Sequence, residues 1–481
     1  MQNIDTLGAL KATDYRSKSI KDEIRDNLIQ KIAAEEQVYE GIWGFEDTVL
    51  PDIERALLSR HSILLLGLRG QAKTRIARQT VQLLDEYIPI IAGSEIMDDP
   101  LRPISKYARH KIAEMGDDTP IAWVHRSERY VEKLATPDVS IADLLGDVDP
   151  IKAASLKLPY SDERVIHFGL IPRAHRSIFV INELPDLQAR IQVALFNILQ
   201  EGDLQIRGFK LRLPLDIAFM FTANPEDYTQ RGSIITPLKD RIESQILTHY
   251  PQSIEIGKKI TAQEIKRKNE QDTIRVPDMV SDLIERVVFE ARISEYIDEK
   301  SGVSARLPIA AYENMLSSAE RRMLINGEKT TDIRLTDLWA IIPAMTGKME
   351  LVYEGEQQGA YTVALTIIGA ALEKTFLEYF PADVEDDTSD PYGALKLWFA
   401  DGNMVRIGHD ADQKAYETAL QEVPGLQTVL QKAGIAQEDA MIFRELILHG
   451  LAEQQVVQKS YDHGYLSFGD SISDMMSELD E

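Results

Sequence analysis

Three short apolar runs mark the first half of the chain: SILLLG from Ser62, SIFVINE from Ser177 and DIAFMFTANP from Asp216. Each is continuous rather than alternating, the pattern of a parallel strand whose two side-chain rows both meet covering helices. Helical periodicity separates the runs, so residues 46–252 are expected to form an α/β domain around a covered parallel sheet. Residues 1–45 carry Ile24, Leu28 and Ile32 at roughly helical spacing and predict a helical N-terminal segment packed on that domain. Between the second and third runs, DLQIRGFKLRLPL from Asp203 alternates around Arg207-Gly208, which predicts an inserted β-hairpin.

Beyond Pro251 the pattern turns helical through SDLIERVVFEARISEYI and PIAAYENMLSSAERRML, predicting a second, helical domain over residues 253–380. PADVEDDTSDP, Pro381 to Pro391, is acidic and flanked by prolines, and reads as a linker opening a C-terminal helical region over 381–481. The final SISDMMSELDE reads as a frayed acidic tail. No internal repeat or low-complexity block occurs.

Composition narrows the function classes. The 481 residues are 44% hydrophobic and 27% charged, and no stretch reaches the roughly 18 apolar residues of a membrane span, so no membrane insertion is expected. Met1 to Gln37 lacks the basic start and apolar block of a secretory signal, which predicts a cytoplasmic protein. Zero cysteines exclude disulfides, thiolate metal sites and cysteine nucleophiles. A net charge of -25 disfavours broad capture of nucleic acid, because phosphate binding needs clustered Lys and Arg.

Chemistry concentrates after the first strand. Gly67-Leu68-Arg69-Gly70-Gln71-Ala72-Lys73-Thr74, running into Arg75, joins an apolar strand to a helical pattern, the context of a phosphate-binding loop. There, glycines turn backbone N–H groups toward phosphate, Lys73 supplies a cation for the β and γ phosphates, and the Thr74 hydroxyl is a magnesium ligand. ATP and Mg²⁺ are therefore the expected cofactors. The loop departs from GxxxxGK[ST] in having Ala72 where the last glycine stands. At the end of the second run, Asn182 takes the place of the aspartate that normally helps hold Mg²⁺, and Glu183 follows as the residue that orients and polarises the attacking water. An amide accepts hydrogen bonds but lacks the charge that offsets the metal, so weakened metal binding is expected. Glu445 and His449, four apart on a predicted helix, read as surface or packing residues rather than metal ligands. Trp43, Trp123, Trp339 and Trp398 read as core residues.

With these motifs in order, the chain resembles AAA+ ATPases of the MoxR and magnesium chelatase I-subunit group over about residues 40 to 375. The resemblance implies a helical lid for 253–380 and assigns further roles. GIWGFEDTV, Gly41 to Val49, resembles the segment lining the adenine pocket, with Ile42 and Gly44 in it. TANPEDY, Thr222 to Tyr228, resembles the sensor-one strand with Asn224 at its tip. TPLKDRI places Arg241 as an arginine finger that reaches a neighbouring subunit, and SARLPIAAYE places Arg306 as sensor two. DLLGDVDP from Asp143 and HFGLIPRAHR from His167 resemble the insertion-bearing region before the second run, and the hairpin near Arg207 resembles the group's pre-sensor insertion.

The resemblance implies a homo-oligomeric ring, with a hexamer expected, that remodels a partner carrying a von Willebrand factor A domain. Three other readings stay open on the residues. One is a chelatase subunit driving magnesium into a porphyrin. Another is a nucleotide-switched scaffold with little hydrolysis, suggested by Ala72 and Asn182. The last is a nucleic-acid motor, which the acidic balance disfavours.

Overall fold

The computed structural model describes residues 4–159, 162–201, 204, 213–225, 232–380, 390–462 and 464–469. The chain divides into two units, Met1–Tyr250 and Pro251–Glu481.

The first unit is built on five parallel strands: β1 Ile63–Leu66, β2 Tyr130–Leu134, β3 Ser177–Asn182, β4 Ile217–Ala223 and β5 Ser244–Leu247. Their spatial order is β2-β3-β4-β1-β5, with every neighbouring pair parallel. The three apolar runs are β1, β3 and β4, and all six residues of β3 are buried. Side chains alternate between two layers. Leu64, Phe179, Ile181, Phe219 and Phe221 enter one, whereas Ile63, Leu65, Ile178, Val180 and Met220 enter the other. Two apolar layers explain why these runs do not alternate in polarity.

The N-terminal segment belongs to the second of those layers. Helix α1, Ile20–Ala33, starts at Ser19, whose hydroxyl accepts from the Asp22 amide at 3.1 Å, and carries Asp22 and Glu23 in its first turn, where the helix dipole favours them. Ile20, Ile24 and Leu28 pack into the sheet layer, whereas Ile32, read as the next apolar position, is exposed in the last turn. The segment is also locked by charge. Arg129, just before β2, donates from both terminal nitrogens to Glu23 at 2.6 and 2.7 Å and from Nε to the Arg176 carbonyl at 2.9 Å. Both side chains are buried.

Before β3 the chain adds a small antiparallel pair, Gly146–Val148 with Ile166–Phe168, around a short helix, Pro150–Leu156, in the region the resemblance marks as insertion-bearing. The hairpin predicted from Asp203 lies almost wholly outside the described residues, as do most of the Pro381–Pro391 stretch and the SISDMMSELDE tail.

The second unit is mainly helical. Helices α3 Asp278–Ile293, α4 Arg306–Asn326, α5 Ala360–Tyr379 and α6 Ala440–Glu453 share one apolar core, whose described members range from Ile274 to Phe468. Residues past 390 therefore complete the core that α3 to α5 begin. They also bring a sheet absent from the helical expectation: β6 Val405–Gly408, β7 Gln458–Asp462 and β8 Tyr465–Gly469, antiparallel in the order β6-β8-β7. Its strands are short and half-exposed, so their alternation is weak in sequence.

Helix α5 meets the length and apolar composition of a membrane span. It is a core helix, burying Val363, Ile367, Leu372 and Phe376, and Lys374 pairs with Glu290 of α3 at 2.7 Å. Gly450 on α6 allows close approach, since a Cβ there would collide with the Phe376 ring. Glu445 and His449 are fully buried on α6; Glu445 accepts from Tyr416 Oη at 2.7 Å, and His449 packs against Trp339 and Phe468. None of the four tryptophans is fully buried, and Trp43 is 37% exposed, so the core reading does not hold for it.

Two buried ionisable groups set the stability of the first unit. Glu23→Ala leaves the Arg129 guanidinium unpaired in the core and should cost about 3–5 kcal/mol in denaturant unfolding of the first unit. His175 accepts from the Asp216 amide through Nδ1 at 2.9 Å, and burial, aided by Arg176, pushes its pKa down to about 4. The unfolded chain thus binds a proton that the native imidazole refuses between about pH 6.5 and 4, so this contribution is present above pH 6.5 and is lost as pH falls toward 4. The loss is on the order of 3 kcal/mol. His175→Asn, which keeps an acceptor, should flatten that acid-side slope in hydrogen exchange of the β3 and β4 amides.

Candidate functional site

β1 lies between β4 and β5, and that insertion is a topological switch point, the position at which open α/β sheets bind ligands beyond their carboxyl ends. Three of the sequence-predicted positions meet there. The chain leaves β1 through Gly67–Ala72 and enters helix α2, Lys73–Gln79, while Asn182 ends β3 and Asn224 follows β4.

Lys73 is the hub. Its ammonium donates to the carbonyl oxygens of Gly67 and Leu68, the latter at 2.8 Å, and to Asn224 Oδ1 at 2.9 Å. The loop lysine and the sensor-one asparagine, read from motifs 151 residues apart, are therefore in direct contact. Asn224 is buried, and with Oδ1 accepting from Lys73 its Nδ2 is the donor end of the amide.

The loop's shape follows from its neighbours. A Cβ at Gly67 would collide with the Thr248 hydroxyl and the Gln71 amide. Gln71 is buried and accepts from Thr248 Oγ1 at 2.6 Å, so its side chain fastens the loop to the end of β5 and leaves phosphate contact to its backbone. Tyr250 Oη donates to the Arg69 carbonyl at 3.0 Å. Ala72 sits at φ 54°, ψ 9°, the left-handed conformation that a glycine would adopt without strain. The exchange of glycine for alanine thus changes the energy of the turn and not its path. Gly70 has φ 79° and turns in the same region.

Thr74 Oγ1 lies 3.5 Å from Asn182 Oδ1, and Thr222 Oγ1 donates to that same oxygen at 3.1 Å. Asn182 Nδ2 donates to Glu132 Oε1 at 2.6 Å. Glu132 stands on β2 beside β3 and also receives Arg78 of α2, from Nε at 2.9 Å and Nη2 at 3.1 Å, and Tyr130 Oη at 3.0 Å. Burial opposes its charge, but the bonds from Arg78, Tyr130 and Asn182 prevail and hold the carboxyl below the usual glutamate range. Glu183, next to Asn182, adopts φ 57°, and its amide donates to Thr222 Oγ1 at 3.2 Å. A non-glycine residue held in that strained region at the end of β3, half-buried, is the kind of outlier that marks a functional position.

The adenine-segment residues pack near the loop. Ile42 is buried and Gly44 turns at φ 80°. Phe45 meets the His249 ring edge-on at 4.9 Å, and Thr48 Oγ1 lies 2.8 Å from His249 Nε2, one residue beyond the Thr248 that fastens Gln71. Arg75 follows Thr74 in α2 and is half-buried. Arg241 stands apart from this cluster: it is exposed, paired with its neighbour Asp240 at 3.0 Å, and lies 5.8 Å from the Phe196 ring. Arg306 belongs to the second unit, exposed in the first turn of α4. Thr222, Glu132, Arg78 and Tyr130 were not singled out in the sequence. Thr222 lay inside a quoted motif, whereas Glu132 is one of many glutamates and only the β2–β3 register reveals it.

The donors present suit Mg²⁺: a hydroxyl and an amide oxygen are hard ligands, and a nucleotide metal is otherwise held by phosphates and water. Among the described residues, no group of three or more His, Cys, Asp or Glu side chains gathers to cage a metal.

Sheet and loop together define an α/β fold with a glycine-containing turn and a lysine at the carboxyl ends of its parallel strands. No family model matches the chain. Solved structures similar to it include a protein of Cytophaga hutchinsonii named as a candidate ATPase, at 17% identity and TM-score 0.29 over 73% of this chain and 95% of that one. A complex of magnesium chelatase subunits BchI and BchD matches at 18% identity and TM-score 0.34, over 66% and 98%. Hsp104 with ATPγS and casein matches at 14% identity and TM-score 0.37, over 66% and 51%. At such scores the site's own geometry carries the functional reading.

Because Ala72 holds a left-handed turn, Ala72→Gly should relieve strain and stabilise the first unit by about 1 kcal/mol. Equilibrium denaturation without nucleotide measures it, and an unchanged or lowered midpoint contradicts the strain.

Proposed function

We propose that the chain is an ATP-binding and ATP-hydrolysing AAA+ motor of the MoxR and magnesium chelatase I-subunit type, working in the cytoplasm as a homo-oligomeric ring, with six subunits expected. The contact between Lys73 and Asn224 across the carboxyl ends of β1 and β4 is the observation that carries this reading. A phosphate-loop lysine held by a polar residue at the tip of the adjacent strand couples nucleotide binding to the position that senses the γ-phosphate.

The roles divide by geometry. The backbone of Gly67 to Thr74 cradles phosphates at the start of α2, and Lys73 neutralises their charge. Thr74 and Asn182 hold Mg²⁺, which supplies positive charge to the phosphates when bound. Glu183 orients and polarises the attacking water, with Thr222 fixing its backbone. Asn224 donates toward that water or the γ-phosphate. The exposure of Arg241 suits a finger that completes a neighbouring subunit's site, and Arg306 senses nucleotide from the helical unit. Hydrolysis then remodels a partner protein, with a von Willebrand factor A domain as the expected partner module.

A nucleotide-switched scaffold is the second reading, favoured by one observation: the β3 position that normally supplies a carboxylate to the metal carries an amide. Phosphate release decides between them. Magnesium-dependent turnover should fall about 10²–10⁴-fold in Glu183→Gln with nucleotide affinity kept. Lys73→Ala should lose binding, and Arg241→Ala should lose turnover alone. Binding without turnover, with the partner present, would overturn the motor and leave the scaffold.

A further inference from the structure

Asn182 poses a question of charge and of orientation. An amide has an oxygen and a nitrogen of similar size, and only the oxygen can face a cation. Its neighbours decide which way it points. Glu132 Oε1, 2.6 Å from Nδ2, can only accept, so it fixes the nitrogen toward β2. Oδ1 is thereby turned to the Thr74 and Thr222 hydroxyls, both of which donate to it. The carboxylate missing from the end of β3 is thus present one strand away, on the far side of the amide.

The geometry points to Glu132 as a positioning residue for magnesium, acting through Asn182: it orients the amide oxygen toward the Thr74 side and polarises it, so that an asparagine serves where a carboxylate is usual. Tyr130 and Arg78 serve Glu132 in turn. Arg78 grips the carboxylate through two nitrogens from within α2, the helix whose first residues hold phosphate, and so ties loop, amide and carboxylate into one unit. Outer-shell groups of this kind typically alter metal affinity 10–100-fold when removed. The inference rests on the nucleotide-site reading above.

The test measures binding of a fluorescent ADP analogue by the full chain against magnesium concentration, and separately in EDTA. Glu132→Gln, whose neutral amide can turn either its oxygen or its nitrogen to Asn182 and brings no charge to polarise it, should raise the magnesium needed for half-maximal tightening by about 10-fold and leave affinity in EDTA unchanged. Asn182→Asp alone sets two carboxylates against each other and should also raise the magnesium needed. The reciprocal pair, Glu132→Gln with Asn182→Asp, restores one donor facing one carboxylate and should recover magnesium affinity beyond either single variant. Equal loss of ADP affinity in EDTA and in magnesium, no change in either, or a pair no better than the singles would overturn the role of Glu132. Lys73→Ala separates this from the reading beneath it: if that variant binds ADP like the wild type, the nucleotide site itself is misplaced.

Discussion

The structure of the first unit turns on one cation. Lys73 gathers two backbone carbonyls of its own loop and the Asn224 amide at the end of another strand, and Thr74 and Asn182 adjoin that junction. Such a contact forms only if β1 and β4 are neighbours, if the loop doubles back tightly enough to bring Gly67 beneath the ammonium, and if α2 begins at residue 73. The parallel sheet supplies the first condition. Gly67, pressed against Thr248 and Gln71, supplies the second, and the left-handed turns at Gly70 and Ala72 supply the third. Residues that look dispersable in sequence are thus parts of one closure.

A second closure stands beside it. Glu132, Asn182, Thr222 and Thr74 form a chain of polar contacts across β2, β3, β4 and α2. These groups are largely shielded from water, where an unpaired polar atom is expensive, so each fixes the orientation of the next. Order of this kind costs nothing at the moment of reaction, which is how a site stabilises developing charge. It also makes Asn182 intelligible: its two ends do different work, and neither an aspartate nor an apolar residue would satisfy both neighbours.

How far the sequence reached can be judged residue by residue. β1, β3 and β4 were legible because burial on both faces leaves an unbroken apolar run, and the phosphate loop because its glycines and lysine have fixed spacing. Lys73, Thr74 and Asn182 were found in this way and Asn224 through the resemblance, and the structure brings them together. The Glu23–Arg129 pair and Glu132 were not legible, since charged residues that pair across about 50 to 100 positions look like any solvent-exposed charge until strand register is known. Ile32 and Trp43 failed in the opposite direction: both are large and apolar and both are exposed, because fraying at a helix end or a turn overrides a single residue's preference. The sheet β6-β8-β7 escaped because strands of four or five half-exposed residues carry too little periodicity to stand out from loops.

The shared core of the second unit has a consequence for how this chain can be cut. The residues before 381 and after 389 belong to one apolar core, α5 against α6 above all, with Gly450 seated on the Phe376 ring. A chain divided between Phe380 and Asp390 would leave two fragments still joined by burial, migrating as one particle in native solution and separating only in denaturant. Expressed alone, either half would present to water the surface its partner covers, which makes co-production of the two pieces, rather than isolation of a shortened chain, the workable way to divide this molecule.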